Sequence, residues 1–135
     1  MVDRQGIPLA CTLSAANVHD VNILLPTLDA LAPIKRPVGR PRNRPVKLHA
    51  DKAYDAAALR RALRRRGITP RIARRGVESS ERLGRYRWVV ERTGAWLNQY
   101  RRLRIRYERR TDIHLAFLYL GCTLICWNFL VNGFC

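Results

Sequence analysis

The stretch VKLHADKAYDAAALRRALRRRGITPRI, residues 46–72, decides the fold class. Residues 46–50 alternate apolar and polar side chains and are followed by Asp51. This alternation is typical of a β-strand. Residues 56–66 are rich in Ala, Leu and Arg, and the glycine after them predicts the end of a helix. Residues 68–72 predict a second short strand. Strand, helix and strand in this order predict an α/β fold.

Turn residues and apolar spacing extend this interpretation toward both ends of the chain. Gly6-Ile7-Pro8 predicts a hairpin over residues 1–14, and residues 17–20 are expected to cap a helix over residues 21–31, with Pro26 marking a break or a first turn. A long helix is predicted from Ser79 or Ser80 through about residue 102, followed by a last helix over residues 111–131. Helical spacing assigns the core face of the long helix to the following residues: Leu83, Tyr86, Val90, Leu97 and Tyr100.

Between the first helix and the first strand lies a basic, proline-rich segment, residues 32–45 (APIKRPVGRPRNRP). It contains four prolines and five basic residues, which predicts an extended loop. Its GRPR core resembles segments that enter the minor groove of DNA. A plain solvated linker is the alternative interpretation.

The charge of the chain is concentrated in its centre. The 135 residues carry 26 Lys+Arg and 10 Asp+Glu, a formal net charge of +16, and residues 35–110 hold 25 of those basic residues with only six acids. Such a block repels itself and favours a polyanionic partner, with nucleic acid the first candidate. The alternative to a polyanionic partner is that the excess arginines simply occupy solvated surface positions.

The four cysteines, at positions 11, 122, 126 and 135, have neither the number nor the spacing of a disulfide framework or a zinc site. Reduced thiols indicate a cytoplasmic protein, and no signal peptide is predicted at the N-terminus. Residues 113–131 are apolar enough to approach the length of a membrane span, but we predict a core helix and no membrane. Cys122, Cys126 and Trp127 are therefore expected to be buried.

Three of the ten acids are candidates for chemistry or for a structural role. Asp51 stands at the end of the predicted strand, where sites collect in α/β sheets; a turn or helix cap is its alternative role. Asp55 is expected to cap the helix that follows. Glu91 stands one residue after the apolar stripe of the long helix, and a surface ion pair with Arg87 is its alternative role.

The residues HADKAYD at 49–55 and RWVVERTGAWLNQYRRLRIRYERR at 87–110 together resemble the insertion-sequence DDE transposases of the IS four/IS five superfamily. The opening VDRQGIPLACTLSAANVHD is similar to the hairpin of that family. The resemblance implies a ribonuclease-H-like core, a mixed sheet with helices, and a catalytic Asp–Asp–Glu triad. Asp51 matches the second Asp and Glu91 the Glu.

Two signature positions and one acid depart from the family pattern. Arg87 matches the helix signature, whereas Gly84 and Asn98 stand where the family has Tyr and Lys. The first catalytic Asp has no counterpart, because Asp3 lies in the predicted hairpin. The chain, residues 1–135, is therefore expected to be one partial catalytic domain that lacks its first strand, a truncated or split-frame C-terminal portion.

The resemblance implies transposition chemistry at DNA ends with two Mg²⁺ ions, or Mn²⁺, held by Asp51, Glu91 and the absent Asp. An upstream transposase segment or further copies of the chain are the expected protein partners, in a nucleoid-associated cytoplasmic protein. This chain alone is expected to be inactive. A silent DNA-binding remnant and a small RNA-binding protein remain alternatives. The residues expected to contact DNA are Lys52, Arg85, Arg87, Arg92 and Arg101.

Overall fold

The computed structural model describes residues 1–74, 76 and 80–133, and for residues 80–87 it describes the backbone only. The chain divides into two compact units. Ser14–Arg87 form one, which we call the strand unit. Met1–Leu13 and Trp88–Cys135 form the other, which we call the helical unit.

The strand unit is a mixed α/β arrangement, as the sequence predicts. Its elements are α1 (Asp20–Asp29), β1 (Lys47–Ala50), α2 (Ala57–Arg65) and β2 (Thr69–Ile72). Strands β1 and β2 pair in parallel, with Lys47 opposite Thr69 and Ala50 opposite Ile72. Parallel pairing requires a crossover, and α2 supplies it. Within the described residues this two-stranded sheet is the whole sheet.

Leucine and isoleucine side chains from α2 and both strands form the core of the strand unit. Leu59 and Leu63, one helical turn apart on α2, are 5% and 0% exposed. Ile68, just before β2, is 1% exposed, and Leu48 and Ile72 are also buried. Full burial of such a side chain contributes about 1.5–3 kcal/mol. This core fixes the ends of β1 and β2, where the candidate site lies.

Helix α1 differs from its prediction at both the cap and the proline. His19 occupies the N-cap and makes no side-chain cap bond. Pro26 lies inside the helix, which continues to Asp29. The missing proline N–H costs a helical hydrogen bond, and burial of Leu28 and Leu31 beyond it offsets that cost.

The helical unit contains the end of α3 (Ser80–Asn98), α4 (Arg101–Arg104) and α5 (Thr111–Asn132). The helix that was predicted to run to residue 102 therefore ends four residues earlier. The N–H groups of Gln99 and Tyr100 bond to the carbonyls of Trp96 and Leu97, which tightens the last turn. Tyr100 is then extended and begins α4.

The first ten residues form the predicted hairpin, and it docks on α3. Val2 and Pro8 form an antiparallel bridge. At the turn, Gly6 has φ +84°, and its carbonyl accepts a 2.7 Å hydrogen bond from the Thr93 hydroxyl, which is buried. The Arg92 guanidinium donates to the carbonyl of Gln5. These contacts hold together two segments that are distant in sequence.

Helices α4 and α5 pack where α5 has a glycine. A Cβ on Gly121 would lie 2.8 Å from Leu103 Cδ1 and 3.1 Å from Leu97 Cδ2. The segment between the helices is held by Glu108, whose carboxylate lies 2.6 Å from Arg102 Nη1. That hydrogen bond is the main reason why the pKa of Glu108 is lowered.

The far face of α5 departs from the predicted core helix. Trp127 was expected to be buried and is 60% exposed, so that prediction is wrong. Hydrophobic residues occur all round α5, but one face of it packs within this unit. For this reason only Gly121 and Ile125 of the helix are buried. Cys122 and Cys126 are half-buried.

By length and mean hydropathy (1.7), α5 also meets the criteria for a membrane span, as core helices of soluble proteins often do. The further exposed apolar residues on α5 are Ile113, Tyr119, Leu120, Leu124, Leu130 and Val131.

Candidate active site

Asp51 lies directly after β1, at the carboxyl end of the parallel strand pair. Its Oδ1 accepts a 2.8 Å hydrogen bond from the N–H of Ala53 and so caps a single 3₁₀ turn, Lys52–Tyr54. The residue is exposed. It lines an open depression of about 410 Å³ together with Lys52, Ala53 and Gly76. The strand end therefore presents a carboxylate with a fixed orientation to a concave surface.

The capping roles of the two neighbouring acids are the reverse of those predicted. Asp55 does not cap α2, whose N-cap is Ala56 and carries no side-chain cap bond. Instead, Arg60 reaches back one turn and donates from Nε and Nη2 to Asp55 Oδ1, at 2.9 and 2.7 Å. The two side chains are 13% and 20% exposed, and partial burial favours the arginine pair over a cap that water could replace.

The same arginine also ties the strand ends together. Arg60 Nη2 donates a 2.8 Å hydrogen bond to the carbonyl of Ile72, the last residue of β2. Asp55 is thus joined through Arg60 to the carboxyl end of the second strand. This structural role accounts for Asp55 without chemistry and leaves Asp51 as the exposed acid among the described residues that line the depression.

Tyr54 is a neighbour of Asp51 that sequence reasoning did not select, and Asp20 lies close enough to act on it. Burial, and then the negative charges of Asp20 and Asp51, raise the pKa of the Tyr54 hydroxyl. Tyr54 therefore stays protonated and can donate a hydrogen bond near two carboxylates. Its place in the AYD run after Asp51 was the only signal in the sequence.

Glu91 lies on α3 and is exposed. The core face of the helix is turned by one residue from the predicted stripe: Val90 is 60% exposed, whereas Val89 and Thr93 are buried. The reason is the hairpin, which contacts Thr93 and Arg92. Asp51 belongs to the strand unit and Glu91 to the helical unit. Their convergence on one metal site stays a prediction.

The predicted DNA-contacting residues have diverse surroundings. Lys52 is exposed beside Asp51. Arg101 is exposed on α4. Arg92 stacks between two indoles, 4.5 Å from the Trp88 ring and 4.8 Å from that of Trp96. The side chains of Arg85 and Arg87 lie outside the described residues, as does Ser79.

Asp3 is occupied by the turn of the hairpin. Its Oδ1 accepts hydrogen bonds from the N–H groups of Gln5 and Ile7, both at 2.8 Å. Over the part of the chain that the structure describes, no group of three or more His, Cys, Asp or Glu side chains is placed to hold a metal ion. A carboxylate such as that of Asp51 has the oxygen donors that Mg²⁺ prefers, so the described residues offer ligands but no complete set.

Comparison with known proteins identifies the family. Residues 1–129 match the family model described as the transposase DDE domain. Over 128 residues the chain is 59% identical to a Burkholderia cepacia protein that carries the name of the transposase of insertion sequence element IS402. The match covers 95% of this chain and 61% of the relative, so the chain spans about three fifths of that protein's length. No solved structure matches. The resemblance to DDE transposases is thereby confirmed, and the chain belongs to the transposase DDE domain family.

Proposed function

We propose that the protein acts in DNA transposition, as part of a DDE-type catalytic domain that cuts and joins phosphodiesters at transposon ends. The observation that carries the proposal is Asp51: an exposed, oriented carboxylate at the end of a parallel strand, beside a concave surface. Ligands and substrates of α/β folds bind at this edge of the sheet. Family membership supplies the reaction class.

The fold proposed for the complete domain is ribonuclease-H-like. The parallel β1–α2–β2 unit supports it, because it places Asp51 at a strand end and closes the sheet on one side with a helix. Two strands make only a marginal sheet. We propose that further strands, the first one included, come from residues outside these 135.

Divalent metal ions are proposed as cofactors, with Mg²⁺ preferred and Mn²⁺ as a substitute. When bound, such ions activate the attacking hydroxyl and stabilise the leaving oxygen of the phosphodiester. Asp51 and Glu91 would hold them. In this chain, the Ala53 N–H orients the Asp51 carboxylate. Lys52 at the same depression would neutralise phosphate charge.

The partners proposed are transposon-end DNA and, through the exposed face of α5, either further copies of the chain or an upstream transposase segment. The net charge of +16 supports DNA binding. The apolar residues exposed on α5 support a protein contact. We propose a nucleoid-associated cytoplasmic location.

The test compares two proteins with and without metal on a radiolabelled transposon-end duplex. The 135-residue chain alone is expected to bind DNA but neither to nick nor to join it. The chain extended to the full length of its relative, with the first Asp, is expected to cleave in Mg²⁺. Asp51→Asn and Glu91→Gln in that extended protein should each lower cleavage by about 10²–10³-fold or more.

The matched control is Asp112→Asn, which removes an exposed acid that pairs with Arg110 at the start of α5. It should leave cleavage unchanged. An extended protein that binds DNA without cleaving it would favour the silent DNA-binding remnant. Metal-dependent cleavage by the 135-residue chain itself, lost in Asp51→Asn, would show that the third carboxylate lies within it.

A further inference from the structure

The basic, proline-rich segment is a closed protrusion and not an open loop. The N–H of Ile34 bonds to the carbonyl of Arg42 at 2.8 Å, and the N–H of Arg42 bonds to the carbonyl of Ile34 at 2.9 Å. These two bonds form an antiparallel bridge. We call residues 34–42 the basic finger. Every residue from 32 to 44 is exposed, so the finger stands in solvent.

The base of the finger is anchored to α2. Arg44, two residues beyond the bridge, donates a 2.5 Å hydrogen bond from Nη1 to the carbonyl of Arg66. That carbonyl lies at the C-cap of α2, where a cation is favourable. Arg66 in turn pairs with Asp29 at the end of α1, at 2.6 Å. The base of the finger is therefore held to α2 and, through Arg66, to α1.

The apex of the finger combines an apolar side chain with flanking cations. Val38 is 84% exposed, the most exposed of the large hydrophobic residues described. Gly39 has φ +93°, and a Cβ there would meet no atom within 4 Å. The glycine is required for the turn and not for packing. Arg36 and Arg40 flank this apex, and no acid occurs between Asp29 and Asp51.

We infer that the apex of the basic finger enters the minor groove of duplex DNA, with Val38 as the apolar contact and Arg36 and Arg40 beside it. This rests on the proposed function, in which DNA is the substrate, and adds a binding site remote from the chemistry of Asp51. Minor-groove proteins combine arginines with apolar wedges at base steps. The narrow groove of A·T tracts has an enhanced negative potential that attracts arginine.

The width of the finger decides which part of it enters. The minor groove is about 6 Å wide, whereas a two-stranded ribbon needs the wider major groove. At the base of the finger the bridge between Ile34 and Arg42 places two chain segments side by side, which is too wide for the minor groove, so the base stays outside. The apex is a single chain with a glycine in its centre, so its backbone can approach the groove floor closely.

The experiment measures binding of the full 135-residue chain to two 30-base-pair duplexes, one with a central A·T tract and one with mixed sequence, with netropsin as a minor-groove competitor. The finger variant is Arg36→Gln with Arg40→Gln. The control variant, Arg61→Gln with Arg64→Gln, removes two exposed charges from α2. The finger variant should lower the slope of log K against log salt by about 1.8, because it loses two phosphate-neutralising charges. The control variant loses the same formal charge outside the finger.

We expect the wild-type chain to prefer the A·T duplex at least tenfold and to be displaced by netropsin. Only the finger variant is expected to lose both the preference and the sensitivity to netropsin. Val38→Ser, which keeps the charge, should reduce the preference about threefold or more. Circular dichroism checks that each variant is folded. Equal behaviour of finger and control variants, or wild-type binding to both duplexes without netropsin sensitivity, would overturn the inference but leave the proposed function standing. A failure of the wild-type chain to bind either duplex would overturn both.

Discussion

Gly6 shows how much a single residue determines at the hairpin. Its φ of +84° is in the left-handed region, and a Cβ would lie 3.0 Å from Thr93 Oγ1. Gly6→Ala should therefore destabilise the fold by about 1–3 kcal/mol, from backbone strain and from loss of the buried Thr93 bond. The measurement is urea unfolding followed by circular dichroism.

Gly94→Ala is the control for this prediction. Gly94 lies inside α3, and a Cβ there would meet nothing within 4 Å. Alanine is the better helix former by about 0.8–1.0 kcal/mol, so this variant should be at least as stable as the wild type. Equal losses of unfolding free energy in both variants would show that the left-handed conformation of Gly6 does not contribute to stability.

His49 on β1 is expected to respond to pH in a defined direction. Burial, then the positive charges of Arg71 and Lys47, lower the pKa of its imidazole. The folded state therefore binds fewer protons than the unfolded state just below the ordinary histidine pKa of about 6.5. Stability should be full above that value and fall as pH decreases through the lowered pKa.

The residue that tests this is Arg71, which lies opposite His49 in the strand pairing. Arg71→Gln should raise the pKa of His49 in a proton NMR titration of its ring signals. An unchanged titration curve would show that Arg71 does not contribute to the shift, which would then be due to burial and Lys47.

The roles of Asp51 and Asp55 show the limit of sequence reasoning at the scale of residues. The sequence identifies both acids, and its place at the strand end selects Asp51 as the candidate for chemistry. It does not reveal that Asp55 pairs with Arg60, because that choice depends on how deeply the helix start is buried. An acid just before a helix can cap the helix or pair with an arginine one turn later, and the same sequence allows both.

The contact between α4 and α5 belongs to the scale of elements. Gly121 lets α5 approach Leu103 and Leu97 closely. Gly121→Leu should overpack this contact and destabilise the protein by about 1–3 kcal/mol. Ala116→Leu, at an exposed position of the same helix, places the same side chain in solvent and should change stability little. Thermal unfolding of both variants decides; a Gly121→Leu protein as stable as Ala116→Leu would contradict the packing described.

Elements with strong local signals were predictable. β1, α2 and β2 lie within one residue of their predicted ends, because alternation and Gly67 mark them. The end of α3 at Asn98 was not predictable, since the apolar spacing continues through Tyr100. The exposed side of α5 was also missed, because a helix that is apolar all round does not show which face is covered.

At the scale of the whole molecule, charge dominates the expected behaviour. The +16 charge predicts DNA binding that weakens steeply with salt. If about six to ten phosphates are contacted, affinity should fall by about 10³–10⁵ between 50 and 200 mM salt. Fluorescence anisotropy with a labelled mixed-sequence duplex measures this. A flat titration would refute an electrostatic interface.

The arrangement of the chain into two units had no counterpart in local sequence signals. Residues 1–13 join the segment after Trp88, and the intervening residues form the strand unit. Periodicity and turn residues describe neighbours along the chain, so they do not reveal a hydrogen bond from Thr93 to Gly6. The proposed metal site has the same difficulty, since Asp51 and Glu91 are far apart in sequence.

That hydrogen bond also determines when the helical unit can form during synthesis. Its two residues are separated by 87 positions. A ribosome adds about 5–20 residues per second, so the hairpin waits about 4–17 s for its partner on α3 to be made. All of the strand unit, Ser14–Arg87, is translated in that interval. The hairpin therefore reaches its native contacts only after the whole strand unit has been made, and until then its apolar side chains are available to chaperones.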